Sequence, residues 1–257
     1  MQIDLTGRTA IVTGGGGGIG RAASLALARA GAQLMVVDLN LEAAQTTAEL
    51  VQAAGGQARV AVADVSRSGD VATYVAEAVS AWDRIDIFIN NAAWQGPVLP
   101  LVDYPEDDFD RVMAINVRGV FLGMRHVLPV MLERRSGAVI NTGSLGSFIG
   151  TRSLAPYTAS KHAVLGLTRA TALEVARKGI RINAVCPGPV DTELLRAIEA
   201  EQAPGGTEQL RQQRTASIPD GRYAQPEEVA NLMVYLVSDQ ASHITGQGIE
   251  INGGSHA

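Results

Sequence analysis

Tyr157 and Lys161 stand four residues apart in Tyr-Thr-Ala-Ser-Lys, at the head of an apolar run that continues through Ala163, Val164, Leu165 and Leu167. This pattern predicts a helix, on which residues four apart share a face, and Pro156 suits its first turn. A phenol and an ammonium are thereby held side by side. Free tyrosine has a pKa of about 10 and is badly matched to proton transfer near neutrality. Bringing it to about 7–8 takes roughly 3–4 kcal/mol of differential stabilisation, to which an adjacent positive charge contributes. Taken alone the pair also fits an exposed helix without chemistry; the rest of the chain decides.

A second chemical signal lies near the start. Five consecutive glycines at positions 14–18 and a sixth at Gly20 follow the apolar run 9–12 and precede an Ala-rich helical pattern. Glycines here permit a tight turn and let a dinucleotide pyrophosphate approach backbone N–H groups at a helix N-terminus. Two registers are open. Gly15-x-Gly17-x-x-Gly20 satisfies the common dinucleotide fingerprint, and Thr13-Gly14-x-x-x-Gly18-x-Gly20 a wider-spaced variant. No Gly-Lys-Ser/Thr follows, which excludes a P-loop. Asp38 lies 18 residues beyond Gly20, at the tip of the next apolar run. A carboxylate there accepts hydrogen bonds from the adenosine ribose and repels a 2′-phosphate. Leu39 and Asn40 bring no cation for that phosphate, so NAD is the expected cofactor.

The elements that must position these groups alternate along the chain. Strand patterns at 9–12, 33–37, 58–63, 85–89, 138–141, 181–185 and 248–251 are separated by helical ones at 21–30, 41–54, 68–82, 105–133, 157–178 and 226–237. The long helix 105–133 is expected to break near Pro129. Such alternation predicts βαβ units around a parallel sheet. The fold class is therefore α/β, a doubly wound Rossmann-type sheet with helices on both faces and a single domain over 1–257. Residues 199–222 are polar, rich in Gln and Gly and without strand pattern. With the residues before them they are expected to form a substrate lid over 190–222.

Composition narrows the class. Of 257 residues 46% are hydrophobic and 18% charged, ample for one large core, and the net charge is −5. The basic residues are scattered, which points away from a nucleic-acid or polybasic membrane surface. No uncharged apolar run reaches the ~18 residues a membrane span needs, and the N-terminus shows no signal-peptide pattern. One cysteine, Cys186, excludes an internal disulfide and suits a reducing compartment. It reads as a packing residue at a strand end, and a cytoplasmic location is expected. His126, His162, His243 and His256 have no ligand spacing, so no metal is expected.

Together these features resemble the short-chain dehydrogenase/reductase family over nearly the whole chain. Thr13-Gly14-x-x-x-Gly18-Ile19-Gly20, with Gly17, resembles its cofactor loop, Asp64-Val65 its adenine contact, and Asn90-Asn91-Ala92-Ala93 its Asn-Asn-Ala-Gly motif. Asn116, Ser144, Tyr157 and Lys161 match its catalytic tetrad; Pro187, Gly188, Val190 and Thr192 match the loop that holds the nicotinamide carboxamide. Ala93 in place of glycine and Asn252 in place of a more usual aspartate are departures. The resemblance implies hydride transfer between a secondary alcohol or ketone and NAD(H). Tyr157 would exchange the proton, Lys161 would lower its pKa and bind ribose, Ser144 would orient the reacting oxygen, and Asn116 would hold a relay water. Ser147 is set aside because the 13-residue spacing from Ser144 to Tyr157 is the family's. The resemblance also implies a homotetramer, with a dimer as fallback.

The segments 94–96, 145–155 and 189–195 should wall the substrate pocket, supplying Trp94, Gln95, Phe148, Ile149, Leu154, Leu194 and Leu195, with Arg152 the charged exception. An apolar wall of this kind fits a hydrophobic or cyclic secondary alcohol or ketone. Two other readings stand beside it. One is a 3-oxoacyl-carrier-protein reductase, with Arg134, Arg135 and Lys178 meeting an acidic carrier; Asp38 weighs against it, since a biosynthetic reductase more often uses NADPH. The other is a catalytically inactive dinucleotide-binding regulator, which the intact tetrad disfavours.

Overall fold

The computed structural model describes residues 3–203 and 205–256, without the side chains of Leu194 and Glu201. Among these residues, seven parallel strands form one sheet in the order β3-β2-β1-β4-β5-β6-β7. They are β1 Thr9–Thr13, β2 Gln33–Asp38, β3 Gln57–Val62, β4 Ile87–Asn90, β5 Gly137–Thr142, β6 Ile180–Pro187 and β7 Gly248–Ile251. The chain steps from β1 outward to β3 and then returns to the other side of β1. That reversal opens a crevice beyond the carboxyl ends of β1 and β4, where a doubly wound sheet binds its ligands.

Helices cover both faces because the strands are apolar on both. Ala10 and Val12, Leu34 and Val36, Ile87 and Ile89 pack into one core. It is closed by α1 (Gly18–Arg29), α2 (Leu41–Ala53) and α9 (Pro226–Val237). The alternate residues Ile11, Met35, Val37 and Phe88 fill the other core, under α3 (Ser68–Trp82), α5 (Gly119–Arg134) and α6 (Ala155–Val175). Each fully buried side chain of this size contributes roughly 1.5–3 kcal/mol, which sets the register of a strand whose two faces are both covered. Arg84 and Asp86 pin the start of β4: Asp86 is buried, meets Arg84 at 2.5 Å and accepts from the Thr9 N–H at 2.9 Å.

One expectation needs correction. The long helix does not break at Pro129, which lies inside α5. Its irregularity comes earlier: α4 (Glu106–Met113) passes through a π-helical turn, Ala114–Arg118, before α5. Asn116 sits in that turn, and such turns often re-aim a functional side chain. The segment after β6, expected to form the lid, is helical. Thr192 caps α7 (Glu193–Gln202) by accepting from the Leu195 N–H, and α8 (Thr207–Ala216) follows. Asp191 ties both helices to the core through Arg196 at 2.9 Å and Arg211 at 2.7 Å. Charge pairing replaces the apolar periodicity that would have revealed them. Among the described residues no helix is long and apolar enough to cross a membrane, and no group of three His, Cys, Asp or Glu could hold a metal ion.

Candidate active site

The glycine loop between β1 and α1 has positive φ at Gly14 (62°) and Gly18 (49°). A Cβ on Gly20 would stand 2.0 Å from the Gly14 carbonyl oxygen, so only glycine lets the first turn of α1 close onto the strand end. Those three positions select the wider-spaced register. Gly17 is the N-cap of α1 without a side-chain cap, and a Cβ there would meet nothing within 4 Å. The loop therefore presents unfilled backbone N–H groups to open space. Thr13 and Asn91 lock it across the crevice. Thr13 Oγ1 accepts from the Asn91 and Ala92 N–H groups at 3.0 and 3.2 Å, and Asn91 Nδ2 donates to the Thr13 carbonyl at 3.1 Å.

Asp38 closes one end of the loop. Its Oδ2 accepts from the Gly16 N–H at 2.9 Å and its Oδ1 from the Asn40 N–H at 3.0 Å, so the carboxylate is fixed beside the loop. Asp64 and Val65 are not among the residues that line the main cavity. Asp64 Oδ1 accepts from the Ser66 hydroxyl at 2.7 Å, which with Arg67 holds the carboxyl below the usual carboxylate range, and Val65 is buried. Gly20 too is packed behind the cavity rather than lining it.

The candidate catalytic groups converge from the end of β5, α6 and the π turn. Lys161 is buried and points its Nζ at the Thr142 carbonyl, 2.7 Å away, and lies 5.6 Å from the centre of the Tyr157 ring. Burial depresses its pKa to about 8, against a small opposing pull from the Cys186 thiol. Tyr157, half-buried on the cavity floor, is shifted the other way. Loss of solvent raises its pKa above the ordinary value, and the Ser144 hydroxyl beside it only partly offsets this.

Ser144 starts the loop after β5, with Oγ accepting from the Gly146 N–H at 3.1 Å. Ser147 proves to be more than a bystander. Buried, it accepts from the Ser144 N–H at 3.2 Å and donates to the Lys161 carbonyl at 2.9 Å, bracing one catalytic residue against another. Asn116 spends its side-chain amide on the loop after β4 and on α6. Oδ1 accepts from the Trp94 N–H at 2.8 Å, and Nδ2 donates to the Trp94 carbonyl at 2.8 Å and to Ser160 Oγ at 3.0 Å. Ser160 Oγ in turn donates to the Tyr157 carbonyl at 2.7 Å. Asn116 thus holds the head of the Tyr157 helix and has no direct contact with Lys161. Behind these, Asn90 donates to Asn141 at 3.2 Å and Asn141 to Thr168 at 2.9 Å, a buried polar ladder from β4 through β5 to α6.

One cavity of about 840 Å³ joins these parts. Gly14, Gly17, Gly18, Ile19, Asp38, Asn91, Ala92 and Ala93 line one end; Ser144, Tyr157, Lys161, Pro187, Gly188, Val190 and Thr192 line the middle. Thr192 faces Gly18 across it, its methyl 3.2 Å from where a Gly18 Cβ would lie. Of the expected substrate wall, Gln95, Leu154 and Leu195 line the cavity, and Arg152 does as well. Trp94 and Phe148 do not. Arg111 lies over the Trp94 ring at 4.3 Å, and Phe148 packs against Leu165 and Cys186 and stacks on His256 at 5.9 Å. The Leu194 side chain falls outside the described residues. Leu145 from the segment 145–155 and Ile198, Gln202, Arg214 and Ser217 from the expected lid also line the cavity, as do Val98 and Tyr223, which lie outside the expected segments. Those beyond residue 197 come from α7, α8 and the turn before α9, whose polar sequence carried no periodic signal.

A nicotinamide dinucleotide fits this donor set. The uncapped N-terminus of α1 suits a pyrophosphate, and the Asp38 carboxylate suits ribose hydroxyls. Lys161 is a buried ammonium with three donors and one acceptor found, leaving two for a second ribose.

Comparison with known proteins agrees with this geometry. A family model described as Enoyl-(Acyl carrier protein) reductase matches residues 14–256. Levodione reductase of Leifsonia aquatica is 39% identical over 98% of this chain and 95% of its own length. Cyclohexanol dehydrogenase of Acinetobacter sp. (strain SE19) is 38% identical over 98% and 96%. The crystal structure of levodione reductase superposes with a TM-score of 0.95 at 38% identity, covering 97% of each chain. That of NAD+-bound xylitol dehydrogenase gives 0.92 at 34%, covering 96% of this chain and 98% of the other. With the dinucleotide cradle at one end of the cavity and Ser144, Tyr157 and Lys161 at its centre, the chain belongs to the short-chain dehydrogenase/reductase family and is an oxidoreductase that interconverts secondary alcohols and ketones with a nicotinamide dinucleotide.

Proposed function

We propose that the substrate is a cyclic secondary alcohol or its ketone and that the cofactor is NAD(H). The observation that carries the substrate reading is the wall above Tyr157, where Val98, Leu145, Leu154, Leu195 and Ile198 form an apolar surface beside the Ser144 hydroxyl. The relatives named for levodione and cyclohexanol support it. Asp38, with no cation in the two residues after it, supports NAD over NADP.

The chain's own groups have separable tasks. Ser144 donates to the reacting oxygen, and Tyr157 gives that oxygen its proton during reduction and, as the phenolate, takes it back during oxidation. Lys161 holds the nicotinamide ribose through the donors that Thr142 leaves over. Asn116 acts on Tyr157 through Ser160 and the helix backbone. When bound, the dinucleotide supplies the hydride acceptor or donor. Helices α7 and α8 serve as the lid. The carrier-protein alternative is weaker on this geometry: Arg134, Arg135 and Lys178 lie just before the amino ends of β5 and β6, the end of the sheet opposite the cavity.

A homotetramer suits the surface. Phe109 and Phe121 on α4 and α5 and Leu173 on α6 are exposed, Leu173 to 85%, and would be covered by another copy. Initial rates on matched cyclic and open-chain ketones with NADH test the substrate reading; better turnover of the open-chain set would overturn it. Light scattering that gives a 27 kDa monomer would overturn the assembly.

A further inference from the structure

The roof of the cavity carries a charged network that the chemistry at Tyr157 does not use. Glu199, on α7, is fully buried, and its Oε1 accepts from the Tyr223 hydroxyl at 2.6 Å and from Arg214 Nη1 at 3.2 Å. Its Oε2 has no partner among the described residues. Burying a carboxylate on so few bonds is costly, and what the carboxylate holds in place is Arg214. The other terminal nitrogen of Arg214 donates to Gln202 Oε1 at 2.5 Å. Arg214, Gln202, Ser217 and Tyr223 all face the cavity. A guanidinium has five N–H donors in a rigid fork. The described residues take two of them, and the side chain keeps 33% of its surface exposed where it borders the cavity.

Building on the ring-alcohol reading above, we propose that Arg214 reads the substrate, donating to a neutral oxygen, such as a ring hydroxyl, remote from the reacting carbon. Charge selects a neutral acceptor over an anion. Glu199 already neutralises Arg214 from a buried position, where salt and water screen it little. Arg211, the neighbouring cation on α8, is spent on Asp191 at 2.7 Å and lies over the Tyr223 ring at 5.0 Å. A substrate carboxylate at this corner would have to share Arg214 with the buried Glu199 and would face Glu193, a carboxylate that also lines the cavity. A hydroxyl would take the free donors without that penalty.

The test compares three ketones with NADH on the intact enzyme: cyclohexanone, 4-hydroxycyclohexanone and 4-oxocyclohexanecarboxylate. The wild type should favour the hydroxyketone over each of the other two in kcat/KM by about tenfold or more, as expected for a hydrogen bond to a charged donor. Arg214→Met should cost the hydroxyketone about tenfold more than cyclohexanone. Glu199→Gln, which leaves Arg214 uncompensated, should raise the carboxylate's kcat/KM relative to the hydroxyketone. Ratios are taken on one preparation, so loss of folded enzyme cancels. Equal losses on both neutral rings in Arg214→Met, or a wild type that prefers cyclohexanone, would overturn the proposal. So would a wild type that prefers the carboxylate, which would place the recognition at Arg152. Failure of the ring-alcohol reading looks different: all three rings inert while an open-chain ketone is reduced.

Discussion

Replacing Asp38 by Ser together with Leu39 by Arg should reverse or flatten the cofactor preference. Each Asp38 oxygen already accepts one backbone N–H, at 2.9 and 3.0 Å, and so keeps capacity for a ribose hydroxyl. One or two such charge-assisted bonds are worth roughly 1.5–3 kcal/mol each. A 2′-phosphate in their place forfeits them and meets the carboxylate. Repulsion between unit charges about 4 Å apart runs from ~1 kcal/mol in water to ~4 kcal/mol at an effective dielectric of 20. Arg21, the cation beside the loop, is held on the Gly16 carbonyl and Thr47 Oγ1, and the Asn40 side chain caps α2. The sum gives NAD an advantage of about 3 kcal/mol or more, over a hundredfold in kcat/KM. Leu39 is 68% exposed, so arginine enters there without disturbing the core and supplies a bidentate phosphate partner. The assay is kcat/KM for both cofactors on one ketone, wild type against double variant. A wild type that uses NADPH as well as NADH would show that Asp38 does not meet the ribose.

Ser144→Ala should lower turnover by about a hundredfold with little change in melting temperature. Ser147→Ala should do the reverse in emphasis, losing about 1–3 kcal/mol of stability because it strips partners from the Ser144 N–H and the Lys161 carbonyl, with a smaller loss of kcat; urea unfolding and initial rates separate the two. Lys161→Met should abolish turnover yet stabilise the cofactor-free protein near neutral pH by about 1–3 kcal/mol, since burial holds the lysine pKa at about 8 against 10.5 when unfolded. The penalty is fully present below pH 8 and relieved as pH rises toward 10.5, where the unfolded chain binds the extra proton. The stability gap between variant and wild type should therefore shrink over that window, and a gap constant with pH would refute the assignment.

The fold was legible because strands buried on both faces read as unbroken apolar runs, and βαβ alternation then left few topologies. The cofactor end was legible for a related reason. Gly14, Gly18 and Gly20 answer backbone demands that only glycine meets, although the choice between two glycine registers needed the φ angles. Tyr157 and Lys161 declared themselves by spacing, and Ser144 through the family resemblance. What the sequence hid depends on where side chains point. Trp94 and Phe148 look like pocket walls but are held elsewhere, by Arg111 and Asn116 and by His256 and Leu165. Ser147 looks idle and is a brace. The helices α7 and α8 are fixed by Asp191, Glu199 and Tyr223, polar pairings between distant residues that leave no period to read.

The central claim is that Tyr157 exchanges the substrate proton at the floor of the cavity. Steady-state reduction of a cyclic ketone by Tyr157→Phe, set beside NADH binding followed by fluorescence, tests it most directly. The phenol lies outside the pyrophosphate cradle, so NADH affinity should stay close to wild type while kcat falls by about a hundredfold or more, the range expected for loss of a general acid. A Tyr157→Phe enzyme that binds NADH and still turns over at near wild-type rates would contradict the account.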